Sequence, residues 1–257
     1  MRLCKFEHKG AVRWGLVEEG LVRAVQGQVA TGLDVTDETF PMDEVRFLAP
    51  AHEVCGKLIA VGLNYMGHVY EAAEKGWDTK ASEDPVIFLL PRTALIGNGD
   101  FIRIARPGNQ THFEAELVVV IGKRIKEASL DEARSAILGY TCGNDISDRT
   151  IQDKDGQWTR CKAFATYKPM GPWIETSAPS EGARIRLLKN GKVMQDAALS
   201  DMIWGPKELV SFISHQFILE PGDIIFTGTP QNVGPIAPGD ELEVEIDGIG
   251  RLANPVK

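Results

Sequence analysis

Two carboxylates, Glu114 and Glu116, stand two residues apart in His112-Phe113-Glu114-Ala115-Glu116-Leu117-Val118-Val119-Val120-Ile121-Gly122. The stretch reads as a strand over Glu114–Gly122, and side chains alternate faces along a strand. Phe113, Ala115, Leu117, Val119 and Ile121 then share one face, and Glu114 and Glu116 share the other with Val118 and Val120. Two like charges at the end of an apolar strand repel, and burial adds a desolvation cost. A divalent cation relieves both, and an all-oxygen donor set selects Mg²⁺, Mn²⁺ or Ca²⁺ over zinc. Asp145, in Gly143-Asn144-Asp145-Ile146-Ser147, supplies a third acid after an extended segment. On the pattern alone, a solvated sheet face explains the pair equally well.

His68 and Glu71 are three residues apart, on one face of a helix, where the carboxylate can orient the imidazole as a general base. Taken alone, incidental polar residues on an exposed helix explain this spacing more simply. Lys162, between apolar neighbours in Arg160-Cys161-Lys162-Ala163-Phe164, can turn inward to steady an oxyanion or enolate, although a surface lysine is the commoner case. Thr227-Gly228-Thr229-Pro230 offers hydroxyls and backbone amides that can hold a carboxylate, or forms a plain strand-ending turn. Cys161 has no histidine near it in sequence, which argues against a thiol nucleophile.

The elements that must position these residues are short. Ala11–Val17 and Leu21–Val25 form a hairpin about Glu18–Gly20, and Phe40–Ala51, with two prolines, reads as a linker. Further strands are Lys57–Gly62, Pro85–Pro91, Gly139–Asn144, Ile224–Thr227 and Leu242–Ile246. Ile185–Leu188 and Lys192–Gln195 flank the hairpin turn Asn190-Gly191. Helices are expected over His68–Lys75, Leu130–Leu138 and Pro206–His215, the last with proline in its first turn.

The chain has 257 residues, 43% of them hydrophobic, and 28 basic against 36 acidic side chains, a net charge of −8. That balance, with no basic cluster, argues against a nucleic-acid partner. No apolar run is longer than Leu117–Ile121, which is too short to cross a bilayer. Charged Arg2, Lys5 and Glu7 stand where a secretory leader would be apolar. The four scattered cysteines contain no CxxC pair, so no zinc site or disulfide framework is indicated and a cytoplasmic setting is expected.

Together these segments resemble the fumarylacetoacetate hydrolase family. The resemblance rests on Val61-Gly62-Leu63-Asn64-Tyr65 with His68 and Glu71, on Phe113–Lys123, and on Gly139-Tyr140-Thr141 with Asn144–Ser147. It continues through Gln157-Trp158, Lys162, Phe164, Gly171-Pro172-Trp173, Leu219–Asp223, Thr227–Pro230, Gly248–Gly250 and Asn254–Val256, covering about residues 57–257. It implies an α+β, mostly β fold: a mixed β-sandwich roll (53–257) behind a small N-terminal β domain (1–52), assembled as a homodimer. It further implies Mg²⁺ or Mn²⁺ held by Glu114, Glu116 and Asp145, a His68–Glu71 dyad on a lid, and Lys162 steadying an oxyanion. Arg149, Gln152 and Thr229 match substrate-contacting positions.

The implied activity is metal-dependent hydrolysis of a C–C bond in an acylpyruvate-like 1,3-dicarbonyl acid. Isomerisation, tautomerisation or decarboxylation of a related oxo diacid on the same site is the alternative. Three departures alter the pocket: Leu90 where members often have lysine, Ala165 where many have aspartate, and Gly67 where aspartate is common before the lid histidine. The loss of pocket residues also admits a non-catalytic, dicarbonyl-binding member of the fold.

Overall fold

The strand Ala115–Ile121, apolar apart from Glu116, is buried along its whole length, as befits the centre of a sheet covered on both sides. The computed structural model, which describes residues 1–28, 32–51, 56–76 and 83–257, places it there. Among the described residues the main sheet has 12 strands. Its central order is Arg2–His8, Lys168–Glu175, Ile137–Asn144, Ala115–Ile121, Ile224–Phe226, Leu58–Gly62, Val86–Leu90. Ala115–Ile121 runs antiparallel to both neighbours, pairing Val118 with Thr141 on one side and with Phe226 on the other.

The alternation read from the sequence holds. Phe113, Ala115, Leu117, Val119 and Ile121 enter a core shared with Ile185, Leu187, Val244 and Leu252 of a second, four-stranded sheet. Val118 and Val120 enter a separate core with Leu58, Phe88 and Phe226. The helices Leu130–Ala136 and Pro206–Gln216 pack against the first core. The former starts in a capping box between Ser129 and Glu132, and the latter carries Pro206 in its first turn. The expected mostly β sandwich roll is the observed fold.

Both hairpins form as expected. Asn190 and Gly191 take φ of 53° and 76°, and Glu19 and Gly20 take 48° and 82°, the left-handed pair that a two-residue hairpin turn needs. The linker reading of Phe40–Ala51 is wrong. After Pro41 ends a strand, one turn at Met42–Glu44 leads into Arg46–Leu48, which pairs with Lys5–Glu7. The reason is burial: Phe40 and Phe47 pack against a small core containing Phe6 and Val22. The N-terminal strands continue the main sheet through Leu3 paired with Ile174. The boundary expected at residue 52, and Cys55, lie outside the described residues. Among those residues, no helix is long and apolar enough to cross a membrane.

Candidate active site

Glu114 falls at a break rather than inside a continuous strand. Thr111–Phe113 belongs to a small three-stranded sheet, and Ala115 begins the main-sheet strand. The chain changes sheets at this residue, and the break is held from both sides. Glu114 N donates to Asn144 Oδ1 at 2.9 Å, Asp145 N donates to the Glu114 carbonyl at 2.8 Å, and Ala115 N donates to Gln195 Oε1 at 2.9 Å. Glu114, Glu116 and Asp145 are all buried, and one ligand oxygen from each lies within 4.8 Å of the others.

Three cations surround these acids. Arg149 donates to Glu114 Oε1 and to Gln152 Oε1. Lys162 Nζ donates to Glu114 Oε2 at 2.7 Å, Asp145 Oδ2 at 2.8 Å and Ser147 Oγ at 2.6 Å. Lys168 Nζ lies 2.5 Å from Asp145 Oδ1. Glu116 instead accepts from the backbone N–H of Gly228 at 2.8 Å. Gly228 has φ of 96°, and a Cβ there would stand 2.8 Å from that of Asn64, so the close approach needs glycine.

The electrostatics divide the acids. Burial alone would raise Glu114, but Arg149 and Lys162 hold it well below the ordinary carboxylate range. Glu116 goes the other way: burial and the charges of Asp145 and Glu114 push its carboxyl well above that range. Lys162 is raised despite burial, because Asp145 and Glu114 favour its charged form. An all-oxygen set of three buried carboxylates, one strained in its ionised form, fits a hard divalent cation.

The dyad is formed. In the helix Met66–Glu74, buried His68 places Nδ1 3.1 Å from Glu71 Oε2. Glu71 also accepts from Lys75 Nζ at 2.6 Å and from Asn232 N at 3.0 Å. Burial raises the Glu71 carboxyl, but His68 and Lys75 outweigh it and lower the pKa to about 2. An imidazole that donates from Nδ1 to this carboxylate keeps Nε2 as a proton acceptor.

One narrow cleft, with a free volume of about 30 Å³, is lined by His68, Glu114, Glu116, Arg149, Gln152, Lys162 and Thr229, with Leu63 and Trp158 as apolar walls. Every site residue read from the sequence therefore lines it except Glu71 and Asp145, which touch residues that do. The loop after Phe226 does hold a carboxylate, that of Glu116, through a backbone amide. Its hydroxyls are engaged otherwise: Thr227 Oγ1 donates to the Leu117 carbonyl and Thr229 Oγ1 accepts from Gln195. At Gly67, a Cβ would come within 2.2 Å of Gln231 Oε1, so Gln231 fills the space an aspartate side chain would take. Cys161 is buried, with its thiol pushed up to about 11 by desolvation, in keeping with no nucleophilic role.

Sequence reasoning missed Lys168, Gln195 and Asn64. Gln195 Nε2 donates to Thr229 Oγ1 and the Pro230 carbonyl while its oxygen holds Ala115 N. Asn64 Nδ2 donates to the carbonyls of Thr227 and Trp204. No spacing signals these contacts, since Gln195 stands 80 residues from Ala115. For Lys168 the available signal was a lone cation at the head of the largely apolar stretch Pro169–Ile174.

A β-rich roll in which a buried acid cluster that could hold a metal shares one cleft with His68 marks a class, and comparison names it. The chain belongs to the fumarylacetoacetate hydrolase family: the model described as "Fumarylacetoacetate (FAA) hydrolase C-terminal" matches residues 57–257. A second model, "Rv2993c-like, N-terminal", matches residues 1–50. Protein Rv2993c of Mycobacterium tuberculosis is 46% identical over 86% of this chain and 82% of its own length. The mitochondrial oxaloacetate tautomerase FAHD2A of Bos taurus is 34% identical over 93% of this chain and 76% of its own. The crystal structure of a 5-carboxymethyl-2-hydroxymuconate delta-isomerase from Mycobacterium smegmatis has a TM-score of 0.90 and 38% identity, covering 100% and 99% of the two chains. That of a maleylpyruvate hydrolase from Sphingobium sp. SYK-6, with manganese(II) and pyruvate, has a TM-score of 0.80 and 27% identity, covering 100% and 98%. These relatives are similar to this chain as hydrolases, isomerases and tautomerases of one family, and the chain is read at that level as a family enzyme.

Proposed function

We propose that this protein is a divalent-metal-dependent hydrolase that cleaves a C–C bond in an acylpyruvate-type 1,3-dicarbonyl acid. The observation that carries the reading is the His68–Glu71 dyad opening on the same cleft as the acid cluster. Glu114, Glu116 and Asp145 would hold Mg²⁺ or Mn²⁺, which supplies Lewis-acid polarisation of the substrate oxygens when bound. His68 Nε2 takes a proton from water, and Glu71 fixes the imidazole tautomer and stabilises the imidazolium. The hydroxide adds to the distal carbonyl. Collapse of the adduct breaks the C–C bond, and the bonding pair passes to the pyruvate half as an enolate. Lys162 donates to the enolate oxygen, and Arg149, Gln152 and Thr229 orient the acid from the cleft wall. The proton held by His68 returns to the enolate carbon, leaving one carboxylate and pyruvate.

A second reading keeps the base and the lysine and omits the water: tautomerisation, isomerisation or decarboxylation of an oxo diacid. The relatives named as tautomerase and delta-isomerase, at 34% and 38% identity, favour it. The homodimer and the cytoplasmic setting expected from the sequence belong to the same proposal.

The deciding experiment follows the enol absorbance of acetylpyruvate with Mg²⁺ and again after EDTA. EDTA-sensitive loss yielding acetate and pyruvate is the expected result. No loss in protein that binds the metal would overturn hydrolysis. Unchanged mass or released CO₂ from another oxo acid would then establish the second reading.

A further inference from the structure

Two lysines grip Asp145, and they differ in what else they can reach. Lys162 lines the cleft and divides its ammonium among Glu114, Asp145 and Ser147. Lys168 is completely buried and does not line the cleft. Its ammonium lies 2.5 Å from Asp145 Oδ1 and donates to the carbonyls of Ile146 at 3.1 Å and Tyr167 at 2.9 Å. The ammonium is therefore held by two backbone hydrogen bonds and by one ion pair to the carboxylate. The anchor itself is stiff. The backbone of Lys168 pairs with Leu95, and Ile146 N donates to the Tyr167 carbonyl at 3.0 Å, tying the Asp145 loop to the start of the Lys168 strand.

A buried ammonium is costly unless its charge and hydrogen bonds are met. Here they are met by a carboxylate of the acid cluster, at a place where no substrate can arrive. We propose that Lys168 is the positioning residue of this cluster: it fixes Asp145 Oδ1 permanently, so that Lys162 can leave the carboxylates for the substrate oxyanion without Asp145 turning away. The inference rests on the metal reading above for the ligand and adds a division of labour between the two lysines. Groups that hold a metal-binding carboxylate in place commonly contribute about 10–100-fold to metal affinity. Lys168 acts through Asp145 and not on the substrate.

The test titrates the EDTA-stripped full-length protein with Mn²⁺, read by electron paramagnetic resonance of the free ion. Lys168→Met should weaken Mn²⁺ binding by about 10–100-fold. Lys168→Gln, which keeps two donors but loses the charge, should weaken it less. Lys162→Met should not weaken it, while turnover at saturating metal falls with KM little changed. Wild-type Mn²⁺ affinity in a folded Lys168→Met or Lys168→Gln protein would overturn the proposal. So would a loss in Lys162→Met as large as in Lys168→Met. Failure of both Lys168 variants to fold would assign the residue to the fold alone and overturn its positioning role. If the wild-type protein itself bound no Mn²⁺, the metal reading would fall first, and this inference with it.

Discussion

The two halves of the site are built on different physics. Glu116 sits on the strand Ala115–Ile121, which is hydrogen-bonded on both edges and flanked by cores on both faces, with Glu114 at the break just before it and Asp145 just after the neighbouring strand Ile137–Asn144. The dyad sits on a nine-residue helix with no side-chain cap at its N-terminus. Its carboxylate is tied to the rest of the site by a backbone N–H from Asn232. Short isolated helices are marginal in water, so this one depends on its packing and on such tethers. The contrast teaches that the acid half is preorganised by the sheet, and the His68–Glu71 half is placed on a short helix held by packing and a loop tether.

The sharpest break of this comparison is on the acid side. Glu116→Ala should lower turnover by about 10³-fold or more, the scale of losing a Lewis acid worth several kcal/mol, and should abolish the Mg²⁺ response. Steady-state rates with a metal titration check it. On the helix side, His68→Ala should lower turnover by roughly 10²–10⁴-fold, the scale of losing the proposed general base, while Mn²⁺ affinity stays at the wild-type value. An equal loss of metal binding in both variants would erase the distinction between the halves.

Stability should divide in the same direction. Leu117→Ala removes a fully buried side chain beneath the acids and should cost about 2–5 kcal/mol in chemical denaturation. Val69→Ala, on the buried face of the helix Met66–Glu74, should cost about 1–2 kcal/mol from the lost methyl groups alone.

The smallest effect concerns pH. Glu71, lowered to about 2 in the folded protein, binds its proton more weakly there than in the unfolded chain. Its contribution to stability is therefore complete above the ordinary carboxylate range and lost as pH falls towards about 2. Glu71→Gln should flatten the acid limb of the stability curve in that window and leave neutral-pH unfolding nearly parallel to wild type. Denaturant midpoints at pH 5 and at acid pH check it.

What was legible in the sequence followed local chemistry. Alternation placed Leu117, Val119 and Ile121 in one core and Val118 and Val120 in another, because a period of two is fixed by backbone geometry. Asn190-Gly191 marked its hairpin because few residues accept left-handed φ at both positions. The acids and dyad were visible as residue types, although residue patterns alone left each open and the family resemblance tipped the reading. What stayed hidden is long-range. The break at Glu114 depends on the contacts of Asn144 and Gln195, and Arg46–Leu48 becomes a strand because Phe47 finds a core built from distant strands. Two prolines in Phe40–Ala51 carried turn propensity, and tertiary burial overrode it.

The loop Thr227–Asn232 has a further meaning for how such an enzyme changes. It presents Gly228 to Glu116 and Asn232 to Glu71, and Gln195 clasps its middle. The helix Met66–Glu74 is thus not an independent module. A helix transplanted from a relative would arrive without its matching loop, and a residue inserted in the loop would slide one carboxylate against the other. Reshaping the cleft is easier from its walls, at Leu63, Gln152 and Trp158, than by exchanging the piece that carries His68.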